Sequence, residues 1–187
     1  MYVVLGLGNP GPEYDANRHN VGWWVVDRLA YDWDFGPFRR EGRALFSEGS
    51  AGSRRVRLVK PTTYMNRSGQ ALRFLAGVED FDPARQLMVV VDDAALPVGR
   101  VRFRPSGGDG GHNGLKSVSG ALGSHEYPRC RIGVGRKPEG WDLADWVLSD
   151  MPEEDEDVVV GLLPELTQAM EAWLEEGMEA VMNRFNR

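Results

Sequence analysis

The sequence contains very little cysteine and no long apolar segment. Cys130 is the only cysteine among the 187 residues, which excludes an internal disulfide and a zinc site built from cysteines. No stretch approaches the ~20 consecutive apolar residues that a membrane span needs. The chain opens MYVVLGLGNP, without the basic segment and long apolar segment of a secretory signal. We therefore expect a protein that works in the cytoplasm and does not contact a membrane.

Charge is distributed unevenly along the chain. The net charge is −6, from 22 basic and 28 acidic side chains. Residues 100–137 carry eight basic and two acidic groups, a net of +6, whereas residues 138–187 carry two basic and fourteen acidic groups, a net of −12. Because charges act within a Debye length of ~10 Å, a polyanion could bind the middle segment while the last segment repels it. The same arginines could equally serve solubility on exposed strand faces.

Short apolar runs alternate with segments of helical periodicity. This alternation predicts a single α/β domain over residues 1–187, with a central, mostly parallel mixed sheet and helices on both faces. The predicted strands are Tyr2–Leu7, Arg55–Val59, Gln86–Val91, Val101–Arg104 and Arg131–Val134. The predicted helices are Val21–Tyr31 capped by Asn20, a segment from Ser68 to about Leu75, Leu115–Leu122, Leu143–Leu148, and Glu153–Asn183 with interruptions near Gly161 and Pro164.

A glycine motif, GLGNPG at residues 6–11, follows the first strand. The pattern G-x-G-x-x-G is typical of dinucleotide sites, in which a helix begins at the glycines and its N-terminus faces the pyrophosphate. Here Pro10 and Pro12 intervene, and the helical pattern begins only near Asn20. The connection is too long for that site, so we expect no dinucleotide cofactor.

Polar side chains follow four of the predicted strands. Because the carboxyl ends of parallel strands meet at one edge of a sheet, these loops should converge into a His–Asp pair surrounded by neutral side chains. The converging residues are Asn9, Tyr14, His19, Tyr64, Asn66, Asp92, His112 and Asn113. For each asparagine and for His112, a role in turn formation is about as well supported as a functional one.

This set of side chains indicates a reaction with water. A histidine near its ordinary pKa of ~6.5 can take a proton from water at neutral pH, and a carboxylate on its other nitrogen fixes the tautomer. Asparagine can donate a hydrogen bond to a carbonyl oxygen that gains charge. No serine or cysteine lies beside His19 as a nucleophile, and no cluster has metal-ligand spacing. The pattern favours direct attack of water on an acyl group, without metal or covalent intermediate.

Five segments of the chain carry a more specific signal. They are GLGNPGPEYDANRHNVG (6–22), PTTYMNRSG (61–69), VDDAALPVG (91–99), GGDGGHNGLKS (107–117) and RCRIGVG (129–135). In order and approximate spacing they resemble the blocks of the bacterial peptidyl-tRNA hydrolase family. The resemblance implies an enzyme that cleaves the ester between a peptide and tRNA, recycling tRNA from peptidyl-tRNA released by stalled ribosomes. The alternative is an RNA-binding protein on the same fold without catalysis.

The resemblance also implies a role for each matching residue. His19 would be the general base, Asp92 its orienting partner, and Asn9 the contact to the acylated amino end of the substrate. The residues that would bind the tRNA acceptor end and the peptide are Tyr14, Tyr64, Asn66 and Asn113. Arg104 and Arg131 would hold a terminal phosphate of the tRNA, and both lie in the basic segment. We expect a monomer that needs no cofactor and no metal, with peptidyl-tRNA as its partner.

Three positions depart from the family pattern. Asn17 replaces a threonine in the block before His19, and Ala95 replaces a second acid after Asp92. Asp109 stands in the glycine loop where a histidine or a small residue is common. Because Asp109 is acidic, we expect it to weaken the attraction of phosphate nearby.

Overall fold

Seven strands form one mixed sheet in the computed structural model, which describes residues 1–186. The strands are β1 Tyr2–Gly6, β2 Arg39–Glu41, β3 Ala44–Ala51, β4 Arg54–Pro61, β5 Leu87–Asp93, β6 Val101–Arg104 and β7 Arg129–Gly133. Their order across the sheet is β2-β3-β4-β1-β5-β7-β6. The four central strands β4, β1, β5 and β7 run parallel, while the outer pairings are antiparallel.

Helices surround this sheet. The α-helices are α1 Val21–Asp32, α2 Pro83–Gln86, α3 Asn113–Leu122, α4 Leu143–Val147, α5 Glu153–Glu176 and α6 Met178–Phe185. Short 3-10 turns occupy Pro12–Tyr14 and Arg18–Asn20, and a longer 3-10 stretch with a kink at Arg67 occupies Met65–Gly77. None of these helices, within residues 1–186, is long and apolar enough to cross a membrane.

The sheet has a hydrophobic core on each face. Val4 of β1 packs with α1, α5 and α6 on one face, whereas its neighbours Val3 and Leu5 pack with α3 and the 3-10 stretch on the other. This alternation follows from the two-residue period of a strand, which sends successive side chains to opposite faces. The predicted α/β class, with a mixed sheet, a parallel centre and helices on both faces, is confirmed.

Glycines of the first motif bring α1 against the sheet. A Cβ added to Gly6 would lie 2.3 Å from the backbone oxygen of Gly22, and one added to Gly22 would lie 2.5 Å from that of Val90. The motif therefore serves close packing of helix on strand. Since α1 begins at Val21, well beyond the glycines, the expectation that the motif lacks dinucleotide-binding geometry agrees with the structure.

Strands β2 and β3 were not predicted from the sequence. The β3 segment reads ALFSEGSA, in which glycine, alanine and serine have little preference for strands. It forms because all eight of its residues pair antiparallel with β4, to which a turn at Gly52 connects it. Long-range pairing therefore overrides local preference here.

The predicted interruptions near Gly161 and Pro164 are wrong. Helix α5 runs through both residues, and the helical segment breaks only at Gly177, where φ is 91°. Pro164 removes one backbone hydrogen bond, but Leu163, Leu166 and Met170 are buried against the sheet and hold the helix together.

Two predicted helix caps are also wrong. The segment expected to begin at Ser68 begins at Met65, and the Ser68 hydroxyl donates to the Met65 carbonyl oxygen. Asn20 precedes α1 but makes no side-chain cap, because its amide is bonded to the backbone of Asn9 instead.

Candidate active site

The polar loops converge on one cleft of about 760 Å³ at the carboxyl edge of the central strands. Eight of the nine residues assigned to the site from the sequence line this cleft: Asn9, Tyr14, His19, Tyr64, Asn66, Asp92, Asn113 and Arg131. Arg104 lies outside it, exposed on β6. The parallel centre of the sheet brings these loops together, as the strand-end argument expected.

His19 and Asp92 form a buried pair at the base of the cleft. His19 Nδ1 lies 2.8 Å and 2.9 Å from the two carboxylate oxygens of Asp92. Burial alone would raise the pKa of Asp92, but the charges and hydrogen bonds of His19 and His112 outweigh it and hold that pKa well below its ordinary value. Because an ionised carboxylate only accepts hydrogen bonds, Nδ1 carries a proton, and in the neutral form of the ring Nε2 keeps its lone pair. The pair can therefore accept a proton from water.

His112 is a second histidine on the same carboxylate. Its Nδ1 accepts hydrogen bonds from the backbone N–H groups of Gly114 and Leu115, which caps α3. The proton must therefore sit on Nε2, which donates to Asp92 Oδ1 over 2.8 Å. From the sequence, His112 is as well explained by turn formation as by function; in the structure it caps α3 and also contacts the Asp92 carboxylate. The sequence could have identified this dual contact only by combining two features: the position of His112 just before α3, where a side chain can cap the helix, and the end of β5, which carries Asp92.

Asn9 is held in one orientation by its surroundings. Its side-chain oxygen accepts the backbone N–H of Met65 over 2.8 Å, so its amide N–H₂ is the group free to donate toward the cleft. Asn20 fixes the Asn9 backbone by bonding both its N–H and its carbonyl oxygen, each over 2.9 Å. Asn9 therefore presents a donor to the cleft that His19 also lines.

The three groups His19, Asp92 and His112 also place their donor atoms within 4.8 Å of one another, close enough to consider a metal. The hydrogen bonds argue against that use. His112 Nδ1 accepts from two backbone N–H groups, so its Nε2 is protonated and offers no lone pair to a metal ion. The set fits a proton-handling site better than a metal site.

Aromatic and apolar side chains form the walls of the cleft. Tyr14 and Tyr64 meet edge to face, with ring centroids 6.4 Å apart. On α4 and just after it, Leu143, Val147 and Leu148 supply an apolar wall. Ala95, the position where the family pattern has a second acid, lines the cleft as well. The cleft thus combines polar groups for chemistry with apolar surface for an organic substrate.

The basic residues of β6 and β7 lie on one sheet face but have different environments. Arg104 pairs with Arg129, and Arg131 pairs with Arg102, so Arg104 and Arg131 are diagonal neighbours. Arg129 is fully buried and donates to the carbonyl oxygens of Tyr127, Gly108 and His125. It therefore holds the glycine loop and does not face a polyanion.

Arg131 lies at the border of the cleft. It donates to the Gly108 carbonyl oxygen over 2.9 Å and lies 3.7 Å from the Asp93 carboxylate. Asp109, on the same glycine loop, also lines the cleft, where its negative charge opposes an anion. Arg131 thus combines a structural contact with a position from which it could reach a substrate phosphate.

A buried histidine–carboxylate pair at the strand ends of an α/β sheet, facing an open cleft with an amide donor, defines the fold and site of a hydrolase that uses water. The peptidyl-tRNA hydrolase family model matches residues 3–187. The chain belongs to the peptidyl-tRNA hydrolase family.

Individual relatives agree along their whole length. The peptidyl-tRNA hydrolase of Gemmatimonas aurantiaca is 46% identical over 190 residues, with 100% of both chains covered. That of Chloroflexus aggregans is 43% identical, covering 100% of this chain and 99% of the relative. A crystal structure of peptidyl-tRNA hydrolase from Acinetobacter baumannii superposes with a TM-score of 0.91 at 28% identity, covering 100% of this chain and 94% of that chain. The resemblance seen in the five segments is therefore confirmed over the whole chain.

Proposed function

We propose that this protein hydrolyses the ester bond of peptidyl-tRNA, releasing the tRNA, with a water molecule that His19 activates. The observation that carries the proposal is the His19–Asp92 contact, which leaves Nε2 as a base beside the cleft. Family membership and full-length relatives of the same name support the substrate class. Translation produces this substrate, so the proposal places the enzyme in the cytoplasm. The proposal takes the enzyme to act as a monomer.

The proposed reaction proceeds in two steps. Water attacks the ester carbonyl carbon while its proton passes to His19 Nε2, and the imidazolium that forms is stabilised by Asp92. The amide of Asn9 donates a hydrogen bond to the substrate. The bond from the carbonyl carbon to the ribose oxygen then breaks, and His19 returns the proton to that oxygen. The products are a tRNA with its terminal hydroxyl restored and a peptide carboxylic acid, which releases its proton to solvent and becomes a carboxylate.

Ester release from N-acetylaminoacyl-tRNA in the presence of a metal chelator tests the activity and its proposed metal independence together. The expected result is release of the acetylated amino acid without any added metal or cofactor. Binding of the substrate without release would support the alternative of a non-catalytic RNA-binding protein. Release only after a divalent metal is restored would contradict the proton-handling assignment of His19, Asp92 and His112.

Asn9→Ala is expected to reduce selectivity for blocked substrates. A neutral amide donor suits the carbonyl of a peptide or acetyl group, whereas a free ammonium offers no acceptor and would leave the donor unmatched. We expect the ratio of kcat/KM for N-acetylated over free aminoacyl-tRNA to fall by at least about tenfold. The exposed Asn183 of α6 gives a matched control, Asn183→Ala, which should keep the ratio. An unchanged ratio in Asn9→Ala would remove Asn9 from this role.

Arg104→Ala and Arg131→Ala are expected to raise KM with little change in kcat. Each arginine should stabilise the bound substrate and the transition state by the same amount, so its loss weakens binding without slowing the chemical step. If each arginine neutralises one phosphate, each substitution lowers the slope of log KM against log salt by up to ~1. Arg28→Ala on α1, whose arginine pairs with Asp32, is the control and should leave both quantities unchanged. A lower Tm with an unchanged salt slope would assign Arg131 to its contacts with Gly108 and Asp93 instead.

A further inference from the structure

The apolar wall formed by α4 has little regular structure to hold it. Helix α4 has five residues, and residues 134–142 before it contain no helix or strand. A helix this short is not stable by itself in water. Leu143 and Leu148, which line the cleft, are 46% and 42% exposed, so burial fixes them only in part. The position of this wall must therefore come from contacts with the rest of the protein.

Arg18 makes a concentrated set of such contacts. The residue lies directly before His19, and only 3% of it is exposed. Its guanidinium carbon lies 3.5 Å from the centre of the Trp146 ring on α4. Its Nη1 donates to the Ser149 hydroxyl over 2.5 Å and to the Asp150 carbonyl oxygen over 3.1 Å. One side chain thus binds the last turn of α4 and the segment that follows it.

The backbone on either side of Arg18 reinforces this attachment. The N–H of Arg18 donates to the Ser149 carbonyl oxygen, and that of Met151 donates to the Ala16 carbonyl oxygen. Asn17, the position where the family pattern has threonine, donates its side-chain N–H to the Asp150 carboxylate over 2.6 Å. Segments 16–18 and 149–151 are therefore joined like two short antiparallel strands, and one of them continues directly into His19.

Burial lowers the pKa of Arg18 from its ordinary value, and the nearby Asp155 and Asp150, which raise it, offset only part of this effect. Because a guanidinium keeps its proton in proteins, the group stays charged, and its placement over a tryptophan face uses that charge. Cation–π contacts of this kind are stronger when they are removed from water. Lysine can place its ammonium over a ring, but it has no flat group that stacks on Trp146 and at the same time donates to Ser149 and Asp150.

We propose that Arg18 is a positioning residue that fixes the apolar wall of α4 relative to His19, and that this wall selects for bulk in the last amino acid of the peptide. The selectivity part rests on the proposed function, whereas the positioning part rests on the contacts of Arg18 alone. With Arg18 in place, an apolar side chain next to the ester lies against Leu143 and Val147 while the ester faces His19. Without Arg18, the apolar wall moves relative to His19, and a bulky side chain of the substrate loses its contact with Leu143 and Val147.

The positioning part is tested by hydrogen–deuterium exchange on the full chain without substrate. In Arg18→Lys, the backbone N–H groups of residues 146–149 should exchange at least about tenfold faster, because local opening costs less free energy. Strand β5 and helix α1 should exchange at the wild-type rate. Arg28→Lys is the matched control, since Arg28 also makes a short contact, with Asp32, but on the outer side of α1. Unchanged exchange at 146–149 in Arg18→Lys would overturn the proposal.

The selectivity part is tested with one tRNA carrying either N-acetylphenylalanine or N-acetylglycine. Arg18→Lys should raise KM for the phenylalanyl substrate about tenfold and for the glycyl substrate less than about twofold, with kcat and its pH profile unchanged. Equal changes for both substrates, or a displaced pH profile, would show that Arg18 acts through His19 and would overturn the proposal. Failure of His19→Ala to lower kcat would instead reject the proposed function and leave the exchange result standing.

Trp146 provides an independent second variant. Trp146→Leu removes the ring face and should change exchange and selectivity in the same direction as Arg18→Lys. The double variant should fall short of the sum of the two single effects, because both changes break the same stacking contact. Trp146→Phe keeps a ring for stacking but loses the Nε1–H donated to the Gly135 carbonyl oxygen, and it should retain most of the selectivity. Additive effects of the two single substitutions would contradict a shared contact.

Discussion

His19→Ala is expected to lower kcat by ~10²–10⁴-fold while the protein stays folded, which is the range for loss of a general base. His19 is the residue whose Nδ1 is bonded to the buried Asp92 and whose ring borders the cleft. Without the imidazole, water must lose its proton to solvent during attack. The measurement is the single-turnover rate at which the N-acetylated amino acid is released from N-acetylaminoacyl-tRNA. The kcat and KM for the same substrate are determined in parallel.

The third histidine of the chain supplies the control for this experiment. His125 is exposed, and only its backbone oxygen takes part in bonds to Arg129 and Gly107. His125→Ala should therefore retain wild-type kcat. Circular dichroism and Tm of both variants establish that the sheet is intact. A His19→Ala protein with near-wild-type kcat would require another base and would reject the proposed mechanism.

The contact between His19 and Asp92 could be predicted from the sequence because it depends on topology. His19 follows β1 and Asp92 ends β5, and the two strands are adjacent and parallel. Any chain with these strands brings their carboxyl ends together, so residue type and position were sufficient. The same rule placed Asn9, Asn66 and Asn113 at the cleft.

His112 and Arg18 show where that reasoning stops. The contact of His112 with Asp92 depends on which ring nitrogen caps α3, and no periodicity encodes this. Arg18 appears as a polar residue in a loop, and its burial follows only from the return of residues 146–150 across the chain. The contacts of Arg18 join residues more than 100 positions apart, outside the sheet; they are determined by packing, and the local sequence carries little signal for them.

Asp92→Asn is expected to lower kcat by ~10²–10⁴-fold while KM changes little, as for other His–carboxylate pairs. An asparagine has one oxygen where the carboxylate has two, and both His112 Nε2 and His19 Nδ1 lie 2.8 Å from Oδ1. The new amide nitrogen would lie against His19 Nδ1 and favour the tautomer with its proton on Nε2. That tautomer cannot accept a proton from water. Asp27→Asn, on the exposed face of α1, is the control and should keep wild-type kcat.

The same substitution should change how stability depends on pH. The pKa of Asp92 is lowered in the folded protein, whereas in the unfolded chain it stays near ~3.9. The contribution of its charge to stability is therefore fully present above about pH 4 and is lost as the pH falls from there toward the folded pKa. The difference in free energy of unfolding between wild type and Asp92→Asn should shrink when urea denaturation is repeated from pH 5 down to about pH 3. A difference that grows on acidification would mean that the Asp92 carboxyl is protonated in the folded state, and it could then neither fix the His19 tautomer nor stabilise the imidazolium.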